Sequence, residues 1–213
     1  MCGRFVYLEW DDVLGVIQRI VMDTPFDPRP EWPASRRIAR PGSVVTVITP
    51  ESECLKPVDL RWGLAAPWDE RKLLFNTRIE TALDQERGIW HDAIRHGRCI
   101  VPTWGFFEPS ATETVPSPQT GKPVKRQYEF SLPEGPTLLA GVRNRDAFSV
   151  VTTKPNASVA PIHDRMPVVL QKDEARQWLY GDYAALADRG GIALDVEAEP
   201  LPKAPDDRQT SLF

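Results

Sequence analysis

Apolar residues at two different spacings divide the chain into helices and strands. Val13, Val16, Ile17, Ile20 and Val21 recur every three to four residues after Asp11-Asp12, which predicts an amphipathic helix opening at those acids. A second helix is predicted over 85–96, with Ile89, Trp90, Ala93 and Ile94 as its apolar stripe and Gly97 as its stop. Short helices are expected at 172–180, ending at Gly181, and at 183–187. Runs rich in β-branched and aromatic residues predict strands at 43–49, 58–62, 98–101, 104–108, 127–132, 137–142, 148–153 and 167–170. The succession of strands with few helices predicts an α+β class, mostly antiparallel, in one compact domain.

Composition refines this picture. With 213 residues, 41% hydrophobic and 26% charged, the chain suits one globular domain with a sizeable core. Its 21 prolines forecast turns and short extended segments rather than a helical bundle. Residues 110–125 form a polar Ser/Thr/Pro-rich stretch, expected as a mobile insert within a domain spanning 1–197. Residues 198–213, with Pro200, Pro202 and Pro205 and several acids, are expected as a flexible tail. The net charge of −4 supplies no global attraction to nucleic acid, so any such contact needs a local basic patch. Cys2, Cys54 and Cys99 match no metal or redox spacing, which points to a reducing compartment and no structural disulfide. Charges at Arg4, Glu9, Asp11 and Asp12 leave no signal-peptide core, and no apolar run of membrane-spanning length occurs. A cytosolic monomer without a metal or cofactor is the expectation.

The chain begins Met1-Cys2-Gly3-Arg4-Phe5. Removal of Met1 before a small residue would leave Cys2 with a free α-amine and a thiol, whose ordinary pKa values are about 7.7–8 and about 8.5. Such a 1,2-aminothiol condenses with an aldehyde to an imine, and its sulfur can then close a thiazolidine. A cysteine at a frayed end is the ordinary alternative.

Three further segments carry candidate chemistry. In Phe75-Asn76-Thr77-Arg78-Ile79-Glu80-Thr81, an extended backbone puts Asn76 and Arg78 on one face, an orienting amide beside a phosphate-binding guanidinium. A surface pair between Arg78 and Glu80 is the alternative. In Trp104-Gly105-Phe106-Phe107-Glu108-Pro109, alternation puts Trp104, Phe106 and Glu108 on one face. Aromatic surroundings raise a carboxyl pKa and suit Glu108 to general acid work, whereas a strand end in solvent would leave it ordinary. In Ile162-His163-Asp164-Arg165-Met166-Pro167, His163 lies in a polar turn and titrates near neutrality. A lone turn histidine is often inert, and His91 and His96 have only that reading.

The four motifs Met-Cys-Gly-Arg-Phe, Asn-Thr-Arg-x-Glu-Thr, Gly-Phe-Phe-Glu and Ile-His-Asp-Arg-Met-Pro, in this order and spacing, resemble those of the SOS-response-associated peptidase (SRAP) family from Cys2 to about Gly181. The resemblance implies a barrel-like β-sheet with flanking helices and covalent crosslinking of abasic sites in single-stranded DNA through Cys2. It implies that Asn76 orients the Cys2 end, that Glu108 shuttles protons, and that His163 assists at the sugar. It assigns DNA contacts to Gly3, Arg4, Pro41, Trp68, Arg78, Thr152 and Arg165, and implies autocatalytic removal of Met1 and a nucleoid-associated place in the cytoplasm. Departures are Ile38-Ala39-Arg40-Pro41-Gly42 in place of an Asn-containing motif, Pro109 in place of an aromatic after Glu108, and the absence of a late Val-Asn segment. A protein-cleaving cysteine peptidase or N-terminal-nucleophile hydrolase, and a non-covalent single-stranded DNA-binding module, stand as alternatives. The last five residues, with Gln209, Leu212 and Phe213, resemble the pentapeptide that binds the bacterial sliding clamp, departing from it at Thr210.

Overall fold

In the computed structural model, which describes residues 2–26, 37–52, 54–84, 88–117 and 119–201, the longest strand organises the rest. This is β8 (Arg98–Pro116), preceded by β1 (Phe5–Tyr7), α1 (Trp10–Val21), β2 (Ile38–Ala39), β3 (Val44–Glu51), β4 (Cys54–Trp62), β5 (Leu64–Ala66), β6 (Asp69–Leu74), β7 (Asn76–Arg78), α2 (Ile79–Asp84) and α3 (His91–His96). After it come β9 (Pro123–Ser131), β10 (Thr137–Arg143), β11 (Ala147–Thr153), β12 (Met166–Pro167), β13 (Val169–Leu170), α4 (Glu174–Tyr180), a 3₁₀ turn at Ala184–Leu186 and β14 (Asp195–Ala198). The main sheet orders its strands β13-β10-β11-β4-β3-β8-β1-β2, and β8 also pairs with β10. That extra pairing closes β10, β11, β4, β3 and β8 into a ring. Most pairings are antiparallel; β11 runs parallel to β4 and to β7. The α+β class, mainly antiparallel in one domain with few helices, is what the sequence predicts.

Two apolar clusters hold the sheet. One lies beneath the helices and joins Val13, Val16 and Ile20 of α1, Ile79 of α2, Ile94 of α3 and Trp178 of α4. The other gathers Cys2, Phe5, Trp62, Phe106, Phe130 and Phe148. Burying each large apolar side chain contributes roughly 1.5–3 kcal/mol. The buried rings also satisfy their polar atoms: Trp62 donates from Nε1 to the Phe75 carbonyl at 2.9 Å, and Trp178 to the Cys99 carbonyl at 2.9 Å.

Several boundaries differ from expectation. The first helix is capped one residue before Trp10: Glu9 and Asp12 form a reciprocal capping box, so Asp11-Asp12 occupy the first turn, where acids favour the helix dipole. Val21, at the end of the stripe, is exposed. The helix expected over 85–96 is described only as α3, with residues 85–87 outside the described residues, while α2 was not foreseen because Asn76–Thr81 reads as extended. The expected strands 98–101 and 104–108 are one strand. In the stretch 110–125, expected as a mobile insert, the described residues form a β-ribbon: β8 runs to Pro116, β9 starts at Pro123, and Thr114, Val115 and Pro116 pair with Lys125, Val124 and Pro123. The segment expected as a tail is tied to β9 at its start, where Ala198 pairs with Tyr128 and Glu199 donates its N–H to the Gln127 carbonyl at 2.9 Å. The rest of that tail, including Gln209, Leu212 and Phe213, lies outside the described residues.

One arginine ties helices to the ring. Arg98 donates to the carbonyls of Ile94 and Arg95 at the end of α3, and to those of Trp178 and Leu179 at the end of α4. A single guanidinium thus satisfies orphan acceptors of two helices.

Candidate active site

Strand register brings the amino-terminal residues to the middle of β8. Phe5 pairs with Ala39 on one side and Phe106 on the other, and the Phe107 N–H bonds the Arg4 carbonyl at 2.9 Å. Gly3 and Arg4 precede β1 and so lead from Cys2 into this pairing. Pro41 occupies a turn in which the Ser43 N–H bonds the Arg40 carbonyl, and Gly42 takes φ of 96° there, a conformation that glycine adopts without steric cost.

Cys2 is fully buried against this strand. Asn76 donates from Nδ2 to the Cys2 carbonyl at 2.7 Å. Asn76 is held because β7 runs parallel to β11, pairing Asn76 with Val150 and Arg78 with Thr152. Between them Thr77 turns inward and hydrogen-bonds Ser149 at 2.9 Å. The expected sharing of one face by Asn76 and Arg78 therefore holds, and Arg78 is exposed.

The alternation expected in β8 holds only in part. Phe106 lies opposite Phe130 and Glu108 opposite Tyr128, two residues apart and so on one face. Trp104 does not share it. Tyr7 pairs with Thr103 while Val6 pairs with Gly105, leaving Trp104 as the extra residue of a bulge, and it packs against the helix-side cluster instead. Glu108 is completely buried nonetheless, and burial pushes its carboxyl up to about 7. His163 Nε2 stands 3.7 Å from Glu108 Oε2. Its other ring nitrogen, Nδ1, lies 3.1 Å from the Arg165 N–H and 3.0 Å from the Arg165 carbonyl oxygen, so either tautomer finds a partner there. Burial pulls the His163 pKa down, which favours the neutral ring at neutral pH. Burial also drives the Cys2 thiol well above its ordinary value, and the nearby Glu108 charge adds to this.

The arginines sit in different settings. Arg4 stacks its guanidinium over the Phe107 ring, 3.8 Å from the centroid, and contacts Glu199 at 2.8 Å. Arg165 is clamped by both carboxylate oxygens of Glu80 at 2.7 and 2.9 Å, and donates to the Thr152 carbonyl at 2.9 Å. The Glu80 hydrogen bonds thus go to Arg165 rather than to Arg78, because Glu80 lies in α2 and not in an extended strand. Thr152 is buried with its hydroxyl donated to the Thr77 carbonyl, a setting that supports Arg165 and leaves no hydroxyl at the surface. Trp68 stands at the tip of the β5–β6 hairpin, 64% exposed. His91 and His96 lie on α3, away from these residues in the chain's register. Among the described residues no group of three or more His, Cys, Asp or Glu is arranged to hold a metal, and no helix is long and apolar enough to cross a membrane.

Structure thus brings together Cys2, Asn76, Glu108 and His163, with Arg4 and Arg165 at their margin. Sequence reading missed Glu80 as the partner of Arg165, and Phe107 and Glu199 as partners of Arg4, since nothing in local spacing signals a contact 85 or 195 residues away.

A family model described as SOS response associated peptidase (SRAP) matches residues 1–198. Abasic site processing protein YoqW of Bacillus subtilis (strain 168) is 32% identical over 197 residues, spanning 84% of this chain and 80% of that protein. Abasic site processing protein YedK of Escherichia coli (strain K12) is 30% identical over 183 residues, spanning 84% and 79%. Abasic site processing protein HMCES of Gallus gallus is 28% identical over 172 residues, spanning 68% and 50%. Two solved structures from Bordetella bronchiseptica share the fold. One matches with a TM-score of 0.66 at 19% identity, covering 94% of this chain and all of that one. The other, a phage-related protein, matches with a TM-score of 0.64 at 22% identity, covering 94% and 95%.

Proposed function

The chain belongs to the SOS response associated peptidase family, and from that membership we propose that it processes abasic sites in single-stranded DNA by forming a covalent adduct through Cys2. The observation that carries this reading is the setting of Cys2: its carbonyl is held by Asn76 at 2.7 Å, and the Glu108–His163 pair lies against the same segment. Once Met1 is removed, the Cys2 amine attacks the open-chain aldehyde of the abasic sugar to give a carbinolamine. Glu108, partly protonated at neutral pH with a pKa near 7, donates a proton as water leaves, which gives an iminium ion and the Glu108 carboxylate. The thiol sulfur then adds to the imine carbon. Its proton passes to the Glu108 carboxylate, and a neutral thiazolidine results with one water released overall. His163 relays protons at the sugar. Arg4, Arg78 and Arg165 supply the positive charge near the site that the net charge of −4 does not.

The raised Cys2 pKa argues against a protein-cleaving cysteine peptidase, whose thiol works as a thiolate with a lowered pKa. In the proposed chemistry the amine attacks first, so a neutral thiol at that stage is no handicap. Intact mass spectrometry after incubation with abasic single-stranded DNA, undamaged DNA and a casein-like protein tests the proposal. A mass increase of one DNA strand less one water, seen only with abasic DNA, is the expected result. Cleavage of the protein substrate without any DNA adduct would overturn it.

A further inference from the structure

At Arg4, close in the chain to Cys2, a cavity of about 310 Å³ opens between the β8–β9 ribbon and the segment that follows β14. Its polar walls are Arg4, Lys125, Arg126, Gln127 and Glu199. Three cations therefore face one carboxylate, in a protein whose overall charge is negative. The Arg4 side chain is 14% exposed and Glu199 is 40% exposed, joined by a 2.8 Å contact. The guanidinium is fixed from its other side by the Phe107 ring, so its orientation does not depend on Glu199. Arg126 is held at the ribbon by the Tyr128 ring and by Glu113, 3.9 Å away. Neither Arg4 Nε nor Arg126 Nε has a hydrogen-bond partner among the described residues, although both atoms are buried. Lys125 is exposed on the same ribbon.

We infer that Arg4, Lys125 and Arg126 form a binding site for successive backbone phosphates of the DNA strand, and that the Glu199 carboxylate occupies its Arg4 end in the free protein as an internal stand-in. A carboxylate and a phosphate offer a guanidinium the same pair of acceptor oxygens. The Arg4–Glu199 contact is partly solvated, and exposed pairs of this kind are weak, so a strand that brings phosphates to Lys125 and Arg126 at once displaces it. The backbone anchor of Glu199 to Gln127 keeps the released carboxylate at the rim, where it repels any strand that does not satisfy all three cations. This rests on the proposed action on single-stranded DNA and adds to it the ribbon as a contact surface and Glu199 as a competitor.

The test is equilibrium binding of an undamaged fluorescent single strand over a salt series, with wild type, Glu199→Gln, Lys125→Gln and Arg126→Gln. Removing the competing charge in Glu199→Gln is expected to tighten binding about two- to fivefold, the range set by a weak exposed pair. Lys125→Gln and Arg126→Gln are expected to weaken binding and each to shallow the salt slope by about 0.7. Lys125 is exposed, so its replacement tests the site even where Arg126→Gln disturbs the ribbon. Wild-type binding left unchanged or weakened in Glu199→Gln overturns the stand-in role, and unchanged slopes in the lysine variant overturn the phosphate site. Absence of binding and crosslinking by the wild type overturns the parent reading, and this site with it.

Discussion

The side-chain amide of Asn76 and the backbone carbonyl of Cys2, 74 residues apart in the chain, are joined by a 2.7 Å hydrogen bond. This bond adds to the pairing of the following residues with β8, so that the amino-terminal segment is restrained both by the sheet and by a side-chain amide. Orientation of this kind lowers the barrier by removing freedom that the reacting groups would otherwise lose. Asn76→Asp keeps the shape but cannot donate, and it sets a carboxylate against a carbonyl. Loss of a net contribution of about 1 kcal/mol predicts a single-turnover crosslinking rate at least roughly fivefold lower, with DNA affinity little changed. An unaltered rate would mean that the bond is structural only.

Cys2→Ser retains the amine and loses the sulfur. It is expected to yield only a reversible imine, captured by borohydride and lost on heating without it. A heat-stable adduct formed by this variant in the absence of reductant would rule out the thiazolidine.

Glu108 links rate and stability to pH. Its folded pKa of about 7 lies above the ordinary 4.5, so the folded protein holds this proton more tightly than the unfolded chain. The sign follows: the stabilising effect of the neutral carboxyl is complete below about pH 4.5 and is lost as pH rises through about 7. Glu108→Gln, neutral throughout, is therefore expected to gain in Tm relative to wild type between pH 5 and pH 8. The same variant is expected to crosslink about 10²–10⁴-fold more slowly, the usual range for loss of an acid–base group, and to lose the fall in rate that wild type shows above neutral pH. Equal losses of rate and of DNA affinity would instead mark a purely structural role.

Arg78 and Arg165 are expected to respond differently to salt. Arg78 is exposed, whereas Arg165 is engaged by both oxygens of Glu80 and by the Thr152 carbonyl. Arg78→Ala should shallow the salt dependence of single-strand binding by about 0.7 for each phosphate that the guanidinium neutralises in the wild type. Arg165→Ala should chiefly lower stability, by about 1–2 kcal/mol, because charged hydrogen bonds are broken at a site that is only partly exposed. Thermal melts and salt titrations of both variants separate the two effects, and the opposite pattern would reverse the assignment.

The carboxy-terminal Gln209-Thr210-Ser211-Leu212-Phe213 is proposed to bind the bacterial sliding clamp, with Gln209 hydrogen-bonding at one edge and Leu212 and Phe213 entering an apolar pocket. A clamp pull-down should retain the full chain and not one truncated after Arg208. Equal behaviour of the two would remove this proposal and leave the active-site reading intact.

What the sequence by itself determined is what depends on neighbours a few residues away. The strands β10 and β11, the apolar stripe of α1 and the stop of α4 at Gly181 follow from side-chain periodicity and from glycine at a helix end, which are local properties. The chemical types also stand in the chain plainly: an aminothiol, an amide, a carboxyl and an imidazole, in an order shared with a family. Tertiary structure decided how those types are tuned. The bulge that sends Trp104 away from Glu108 arises from pairing with β1, ninety-odd residues upstream, and no periodicity within β8 reports it. The burial that lifts Glu108, the amide that holds Cys2, the guanidinium that caps two helices and the carboxylate that sits on Arg4 all depend on segments distant in sequence. Burial and electrostatics are set by whatever the fold brings alongside a group, so a pattern along one strand names the reactive atom but not its surroundings.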